Sequence, residues 1–105
     1  MIIAHRGFGR NLITDFKESL KQTKAVEFDL RLTKDKKIII YHDSNLYGVT
    51  GYNKAVRKMT YNQIRQLPYF LEHPNELPPL FINDFIPIAK KFKLIDVEIK
   101  PNHYQ

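Results

Sequence analysis

The stretch that decides the fold is residues 25–32, which read Ala25-Val26-Glu27-Phe28-Asp29-Leu30-Arg31-Leu32. Apolar and ionisable side chains alternate along it, a period of two that predicts a β-strand. The apolar residues would then share one face and the ionisable residues the other. Glu27 and Asp29 therefore project from the same face, within reach of a common ion. The alternative is an ordinary acidic face in contact with water.

Three further strands are predicted around this one, at residues 1–5, 38–41 and 94–100. The second of them follows a tight turn at residues 33–36. Each ends in ionisable residues or carries them on one face, and these are His5, His42, and Glu98 with Lys100.

Helices are predicted between the strands from the spacing of apolar residues. One begins near Ile13 and continues to Thr23, with Thr14 or Asn11 available as its cap. Residues 60–63 match a capping box, which predicts a short helix through Leu67. A third is expected over residues 83–92, provided that its proline lies near the first turn. Residues 44–57 are predicted to form a loop, and the proline-rich residues 68–79 an irregular connection.

Strands separated by helical segments favour an α/β architecture with a mostly parallel sheet. In a (β/α)₈ barrel the chemistry lies at the carboxyl ends of the strands, while the apolar alternates face the helices. The ionisable residues of all four predicted strands fall where this arrangement would place them.

The composition limits the classes of protein to consider. At 105 residues, 43% hydrophobic and 27% charged, the chain is expected to form one small globular domain. It has no cysteine, which excludes disulfides, thiolate zinc sites and a cysteine nucleophile. No stretch has the roughly 18 consecutive apolar residues of a membrane helix, and no signal peptide is recognisable, so we expect a cytoplasmic location.

The net charge of +6 favours anionic partners. The lysines are scattered and form no arginine-rich tract with interleaved aromatic residues, so we expect no nucleic-acid partner. The alternative for this charge is a solvated basic surface without a partner.

Three carboxylates, those of Glu27, Asp29 and Glu98, would converge if their strands were neighbours. They would repel one another unless a cation neutralised them. A site made only of oxygen ligands favours Mg²⁺ or Ca²⁺ over zinc. On the residues alone a solvated acidic face is the more usual explanation, and one divalent cation bound by the three carboxylates is the alternative.

Two histidines, His5 and His42, each follow an apolar run and precede a turn. Because histidine titrates near neutral pH, such a pair can divide the roles of proton acceptor and proton donor. Arg6 and Lys100 supply positive charge for a phosphate. The alternatives are surface histidines without a role and a strand-end lysine that faces water.

Four segments carry ordered signatures: Ile3-Ala4-His5-Arg6-Gly7, Val26 to Asp35, Tyr41-His42-Asp43 and Val97-Glu98-Ile99-Lys100. Together they resemble the glycerophosphodiester phosphodiesterase family. The resemblance implies a TIM (β/α)₈ barrel of the phosphodiesterase type, of which this chain is the N-terminal part with about four strands. It also implies that residues 1–105 belong to a single, incomplete domain.

The resemblance implies hydrolysis of small-molecule glycerophosphodiesters to glycerol 3-phosphate and an alcohol, with Mg²⁺ or Ca²⁺. By analogy, Glu27, Asp29 and Glu98 would hold the metal, and His5 and His42 would be the acid/base pair. Arg6 and Lys100 would bind the phosphate.

The sequence also departs from the family. Family members carry Pro-Glu-Asn-Thr where this chain has Arg10-Asn11-Leu12, and residues 46–48 lack an arginine that is common there. Both departures concern substrate fit more than metal binding.

A complete barrel needs roughly 250 residues. We therefore expect a fragment of a longer product, with a self-associating half-barrel and a decayed copy as alternatives. Phospholipase D-like action on lysophospholipids and a non-catalytic phosphate-binding module remain alternative functions.

Overall fold

The computed structural model describes residues 2–99. Four strands form one sheet around a central strand, β2. The strands are β1 (Ala4–His5), β2 (Ala25–Leu32), β3 (Ile38–Ile40) and β4 (Leu94–Ile99). β1 and β4 pair with β2 in parallel, whereas β3 pairs in antiparallel orientation with the last residues of β2. The predicted mostly parallel sheet is confirmed.

Five short helices connect the strands. They are α1 (Ile13–Ser19), α2 (Tyr47–Thr50), α3 (Tyr61–Arg65), α4 (Pro68–Glu72) and α5 (Ile86–Ala89). Single 3₁₀ turns occur at Arg6–Phe8, Val56–Lys58 and Pro74–Glu76, and a wide π-helical turn at Phe81–Phe85 leads directly into α5.

The orientation of β3 follows from the short connection that precedes it. The chain turns at residues 33–37, where the Thr33 amide donates to the Lys37 carbonyl at 3.0 Å. A connection this short can join only antiparallel strands, because a parallel crossover needs a dozen or more residues. β3 therefore returns along β2, and the Tyr41 amide donates to the Asp29 carbonyl at 3.0 Å. His42 is the next residue, and it therefore lies close to Asp29 along the length of β2.

The apolar face of β2 packs against α1, the π-helical turn and α5. Phe28 is fully buried there, with its ring centroid 5.4 Å from that of Phe16 and 4.7 Å from that of Phe85. Such tilted aromatic pairs contribute both buried area and favourable ring geometry. The apolar alternates thus face the helices, as the sequence predicted, and the ionisable alternates are left on the other face.

The predicted cap of α3 is confirmed, whereas the predicted caps of α1 are wrong. The capping box of α3 is confirmed, because the Gln63 amide donates to the Thr60 hydroxyl and the Gln63 side chain accepts from the Thr60 amide. For α1 neither Asn11 nor Thr14 serves as the cap. The helix follows Leu12, whose amide donates instead to the Asp15 carboxylate at 3.1 Å.

Residues 41–80 form a separate packing unit, here called the 41–80 segment. It contains α2, α3 and α4, so the loop and the irregular connection predicted for this region are partly wrong. Its side chains form a second hydrophobic cluster together with Ile39 of β3. The buried members of the segment are Tyr41, Leu46, Val56, Met59, Ile64, Leu67 and Phe70. Tertiary packing rather than helix propensity explains these short helices.

The helix predicted over residues 83–92 begins earlier and ends earlier than expected. The π-helical turn starts at Phe81, and Pro87 is the second residue of α5, directly after that turn. Within residues 2–99, no helix is long and apolar enough to cross a membrane.

Both outer parallel strands have an open edge among the described residues. β4 pairs with β2 alone, and Leu94 and Ile99 are 43% and 75% exposed. Ile2 and Ile3, beside β1, are exposed as well. Open parallel edges with exposed apolar residues are unusual in a finished domain, because they offer unpaired backbone groups to other chains.

We expect Gly7→Ala to destabilise the fold more than Gly51→Ala. Both glycines have positive φ, 64° and 76°, but a Cβ on Gly7 would lie 2.6 Å from the buried Phe16 ring, whereas Gly51 has nothing within 4 Å. The clash should add roughly 1–3 kcal/mol to the loss of unfolding free energy. Urea unfolding followed by circular dichroism measures both variants, and equal losses would contradict the packing argument.

Candidate active site

Three carboxylates converge on the ionisable face of the sheet. The parallel register places Asp29 of β2 directly beside Glu98 of β4, and Glu27 lies two residues earlier on β2. Each of the three side chains offers an oxygen, and these oxygens all lie within 4.8 Å of one another. Asp29 is 1% exposed, whereas Glu27 is half-buried and Glu98 is exposed, so solvent reaches the cluster at Glu98. An all-oxygen donor set of this kind fits a hard divalent cation.

His5 lies next to this cluster because β1 pairs with β2 in register, with His5 opposite Glu27. Its Nδ1 is 2.7 Å from Glu27 Oε1, and the Glu27 side chain is only 12% exposed while that of His5 is 69% exposed. A carboxylate contact at Nδ1 fixes the imidazole ring and leaves Nε2 directed away from Glu27.

His42 follows β3, at the end of the β2–β3 hairpin. Its Nδ1 lies 2.8 Å from Asp43 Oδ1. Its backbone carbonyl accepts two hydrogen bonds from Arg31, at 3.2 Å from Nε and 2.8 Å from Nη2. Burial lowers the pKa of Arg31, an effect that the charges of Asp29 and Asp43 partly offset. Arg31 thus anchors the segment that carries His42.

No role was predicted for Arg31, although the signal was present in the sequence. Arg31 continues the same alternation as Glu27 and Asp29, and a cation two residues beyond a carboxylate pair lies on the same strand face.

Arg6 lies in a tightly wound turn directly after β1. Three residues of this turn, Arg6, Gly7 and Asn11, have positive φ values between 51° and 65°. The amides of Gly9 and Asn11 both donate to the Arg6 carbonyl, at 3.1 and 3.2 Å. Non-glycine residues in this region of φ are strained and occur where the surrounding structure holds them. The turn directs Arg6 into a cavity that it shares with His42.

This cavity, here called the arginine pocket, has a volume of about 180 Å³. Its lining residues are Arg6, Arg10, Asn11, Tyr41, His42, Asp43 and Val49. Burial, and after it the negative charge of Asp43, raises the pKa of Tyr41, so this hydroxyl stays protonated at neutral pH. Tyr41 and Arg10 were not predicted as site residues, and Asn11 was predicted only as a helix cap.

Arg10 is held by a small network that joins the β1 turn to the 41–80 segment. Arg10 Nη1 lies 2.9 Å from Glu76 Oε1, and the Tyr69 hydroxyl donates to the same oxygen at 2.8 Å. The Tyr69 hydrogen bond, followed by the charge of Arg10, lowers the pKa of Glu76. The ring of Tyr69 in turn stacks on His73, with centroids 4.3 Å apart.

The predicted site residues are therefore placed as follows. The structure brings Glu27, Asp29 and Glu98 together with His5 beside them, and it places Arg6 and His42 in one pocket. Lys100 lies outside the described residues.

Parallel strands that bring ionisable side chains together on one face are typical of enzymes with a (β/α)₈ barrel. Residues 5–104 match the Glycerophosphoryl diester phosphodiesterase family. The chain therefore belongs to this family, as the four sequence signatures predicted.

Individual relatives agree with this assignment. A glycerophosphodiester phosphodiesterase of Caldanaerobacter subterraneus is 28% identical over 95% of this chain and 45% of its own length. A human lysophospholipase D is 34% identical over 59% of this chain and 21% of its own. The chain thus spans less than half the length of these curated relatives.

Solved structures extend the similarity to the fold. A glycerophosphodiester phosphodiesterase from Thermotoga maritima superposes with a TM-score of 0.78 at 25% identity, over 96% of this chain and 44% of that one. An Oleispira antarctica phosphodiesterase, solved with its product sn-glycerol-3-phosphate, gives 0.76 at 25% identity, over 94% and 44%. The fold is therefore the N-terminal part of a phosphodiesterase-type (β/α)₈ barrel, and the predicted fold class is confirmed.

Because the pKa of Glu76 is lowered, we expect its contribution to the stability of the protein to depend on pH. A depressed carboxyl pKa contributes stability above the unfolded value, near 4.3, and this contribution is lost as the pH falls through the folded value. We expect Glu76→Gln to be less stable than the wild type at pH 7, with the two urea midpoints converging between about pH 5 and pH 3. Glu18→Gln, an exposed glutamate on α1, is the control. A pH-independent difference for Glu76→Gln would contradict the assignment.

Proposed function

We propose that this protein takes part in the divalent-cation-dependent hydrolysis of glycerophosphodiesters to glycerol 3-phosphate and an alcohol. The observation that carries the proposal is the convergence of Glu27, Asp29 and Glu98 within 4.8 Å, with His5 in contact with one of them. Membership of the phosphodiesterase family supports it. The Oleispira relative holds sn-glycerol-3-phosphate as its product, which supports the choice of substrate class.

Glu27, Asp29 and Glu98 would hold one Mg²⁺ or Ca²⁺ ion, because their oxygen donors suit a hard cation and three neighbouring carboxylates need a compensating charge. When bound, such an ion supplies positive charge that polarises a phosphoryl oxygen.

His5 and His42 would move the protons of the reaction. In each histidine Nδ1 contacts a carboxylate, that of Glu27 or Asp43, so Nε2 is the atom left for the substrate. One imidazole would accept the proton of the attacking hydroxyl and the other would protonate the departing oxygen. The two histidines come from different elements, which suits a division of labour across one phosphate.

Arg6 and Lys100 would bind the phosphate. The guanidinium of Arg6 can bind two phosphate oxygens at once, and it lines the same pocket as His42. Lys100 follows Glu98 on the next position of the same strand face in the sequence.

We further propose that residues 1–105 belong to one phosphodiesterase-like domain whose remaining barrel strands come from additional chain or from a second copy. The open edge of β4, with Ile99 75% exposed, supports this, because a barrel leaves no edge unpaired. Size-exclusion chromatography with light scattering distinguishes a monomer from a self-associating half-barrel.

A second candidate is lysophospholipase D-like hydrolysis. The matches to the human and mouse lysophospholipases D, at 34% and 29% identity over 59% and 60% of this chain, favour it. Glycerophosphocholine and lysophosphatidylcholine, assayed side by side, separate the two activities. A non-catalytic module would bind phosphate and metal but release no product from either substrate.

Metal binding is tested by isothermal titration with CaCl₂ and with MgCl₂. We expect one ion per chain, and we expect Asp29→Asn to weaken its binding about tenfold or more, because the substitution removes a buried ligand charge. Glu18→Gln removes an equal charge from the surface of α1 and should leave the affinity unchanged. Equal affinities of wild type and Asp29→Asn would remove the carboxylate site from the proposal.

Catalysis is tested by release of glycerol 3-phosphate from glycerophosphocholine with either metal. His5→Ala and His42→Ala should each lower kcat by about 10²- to 10⁴-fold, the usual contribution of a positioned acid or base. His73→Ala is the matched control, since His73 stacks on Tyr69 and lines no part of the arginine pocket. A folded, metal-binding protein that releases no product would overturn catalysis by this chain and favour the binding module.

A further inference from the structure

Four exposed lysines lie together at the end of the β2–β3 hairpin, and they are here called the lysine tip. Lys34, Lys36 and Lys37 belong to the turn between the two strands. The Lys34 amide donates to the Met59 carbonyl at 2.8 Å, which places Lys58, the residue before Met59, beside the same turn. Within the part of the chain that the structure describes, none of the four lysines forms an ion pair.

One acidic residue, Asp35, lies among these lysines, and its carboxylate is engaged by the protein itself. Asp35 Oδ1 accepts hydrogen bonds from the Thr33 hydroxyl at 2.6 Å and from the Tyr61 amide at 3.1 Å. The carboxylate is therefore held against the start of α3. Four lysine charges beside one engaged carboxylate leave the lysine tip strongly basic.

Lys36 has a backbone conformation that favours glycine over lysine. Its φ is 65°, in the left-handed region where a Cβ is strained and glycine is not. The turn holds it there, because the Lys36 amide donates to the Thr33 carbonyl and the Thr33 amide to the Lys37 carbonyl, each at 3.0 Å. Strained residues of this kind concentrate at functional positions. A lysine where glycine would be unstrained therefore indicates a role for its charge.

The lysine tip lies at the end of the sheet that carries the candidate active site. It follows the last residue of β2, Leu32, and at about 3.3 Å per residue the turn begins about 13 Å beyond Asp29. The carboxyl ends of the strands form the mouth of a barrel site. A surface in contact with the lysine tip therefore faces the same mouth.

The chemistry of the lysine tip favours an extended layer of negative charge. Lysine carries a compact charge on a flexible stem and lacks the planar fork by which arginine binds one phosphate at two oxygens. The turn contains no aromatic residue on which a nucleic-acid base could stack. Clusters of four or more basic residues on a protein surface bind acidic phospholipids by their summed charge. The lysine tip therefore fits a lipid surface better than a nucleic acid.

We propose that the lysine tip docks this protein on a membrane surface that contains acidic phospholipids, with the mouth of the candidate active site toward the lipid. Docking of this kind does not depend on turnover, so it goes beyond the proposed function. It places the protein at the surface where phospholipids and their breakdown products are found.

Lys36→Gly separates a binding role from a structural one. Glycine relieves the strain of the positive φ and removes one charge. The urea midpoint should therefore rise, while the affinity for acidic vesicles should fall about fivefold, the usual contribution of one lysine near such a surface. A lower midpoint with unchanged vesicle binding would assign Lys36 a structural role and overturn the proposal.

A second variant leaves the strained position untouched. Lys34→Gln combined with Lys37→Gln removes two charges of the lysine tip and should weaken vesicle binding about 25-fold, because the lysine contributions multiply. Unchanged binding in this variant would contradict the docking role.

Lys91→Gln combined with Lys93→Gln is the matched control, because it removes two exposed charges from the opposite end of the sheet. The Lys93 amide donates to the Lys24 carbonyl at 2.7 Å, directly before β2 begins. The 8 residues of β2 separate the two ends by about 26 Å, whereas the Debye length at 0.1 M salt is about 10 Å. The control should therefore change the affinity by less than about twofold.

The measurement is co-sedimentation of the full chain with vesicles at about 0.1 M NaCl. One set of vesicles contains phosphatidylcholine mixed with phosphatidylserine, and the other contains phosphatidylcholine alone. We expect binding to the acidic vesicles only, and we expect high salt to abolish it. Equal binding to both vesicles, or equal losses in the lysine-tip pair and the control pair, would overturn the proposal.

A fluorescent single-stranded oligonucleotide tests the other class of polyanion. If it binds in a Lys36-dependent manner and acidic vesicles do not, the lipid surface is refuted as the partner. Both readouts require neither metal nor substrate. Their failure would therefore refute the docking surface while leaving the proposed hydrolysis to its own assays.

Discussion

The register of β2 against its neighbours is the constraint on which the rest of the structure depends. Pairing places His5 opposite Glu27 and Asp29 opposite Glu98, and the same pairing turns Phe28 toward the helices. Because successive side chains point to opposite faces, a slip of one residue would exchange the two faces of β2. The carboxylates would then enter the aromatic cluster, and Phe28 would enter the acidic site. Burial of the aromatic face and assembly of the site are thus consequences of one register.

The aromatic cluster stabilises this register against the repulsion between the carboxylates on the opposite face of the sheet. Phe16, Phe28 and Phe85 are 0–1% exposed, and their ring centroids lie 4.7–5.4 Å apart. Removing such a ring from a core typically costs about 3–5 kcal/mol. Neighbouring carboxylates oppose their own assembly in the absence of a cation. The free energy gained by burying the aromatic rings therefore offsets the repulsion between the carboxylates on the other face of β2.

The two faces of β2 and β4 could be predicted because apolar and ionisable residues alternate along each strand, and this pattern is visible in a few adjacent residues. The identity of each face follows from a period of two, and the capping box of α3 is likewise a pattern of four adjacent residues. Proline at the first position of α4 was a usable signal for that helix, although the sequence analysis assigned the region to an irregular connection.

Other features could not be predicted because they depend on distant contacts. α2 contains only four residues, one of them Gly48, and packing of the 41–80 segment rather than propensity accounts for it. The arginine pocket unites Asn11 with Tyr41, thirty positions apart, and no spacing rule relates them. That the Tyr41 hydroxyl has no hydrogen-bond partner among residues 2–99 is a property of the fold alone.

The hairpin that carries His42 gives the site two mechanically distinct parts. The carboxylates and His5 are attached to the parallel sheet and to its aromatic cluster, whereas His42 is followed by a segment with a hydrophobic cluster of its own. Cooperative units of this kind open locally with their own free energies, often below that of global unfolding. A local opening of the 41–80 segment would withdraw His42 and leave the carboxylates assembled. The stability of the carboxylate cluster and the position of His42 are therefore properties that this architecture allows evolution to adjust separately.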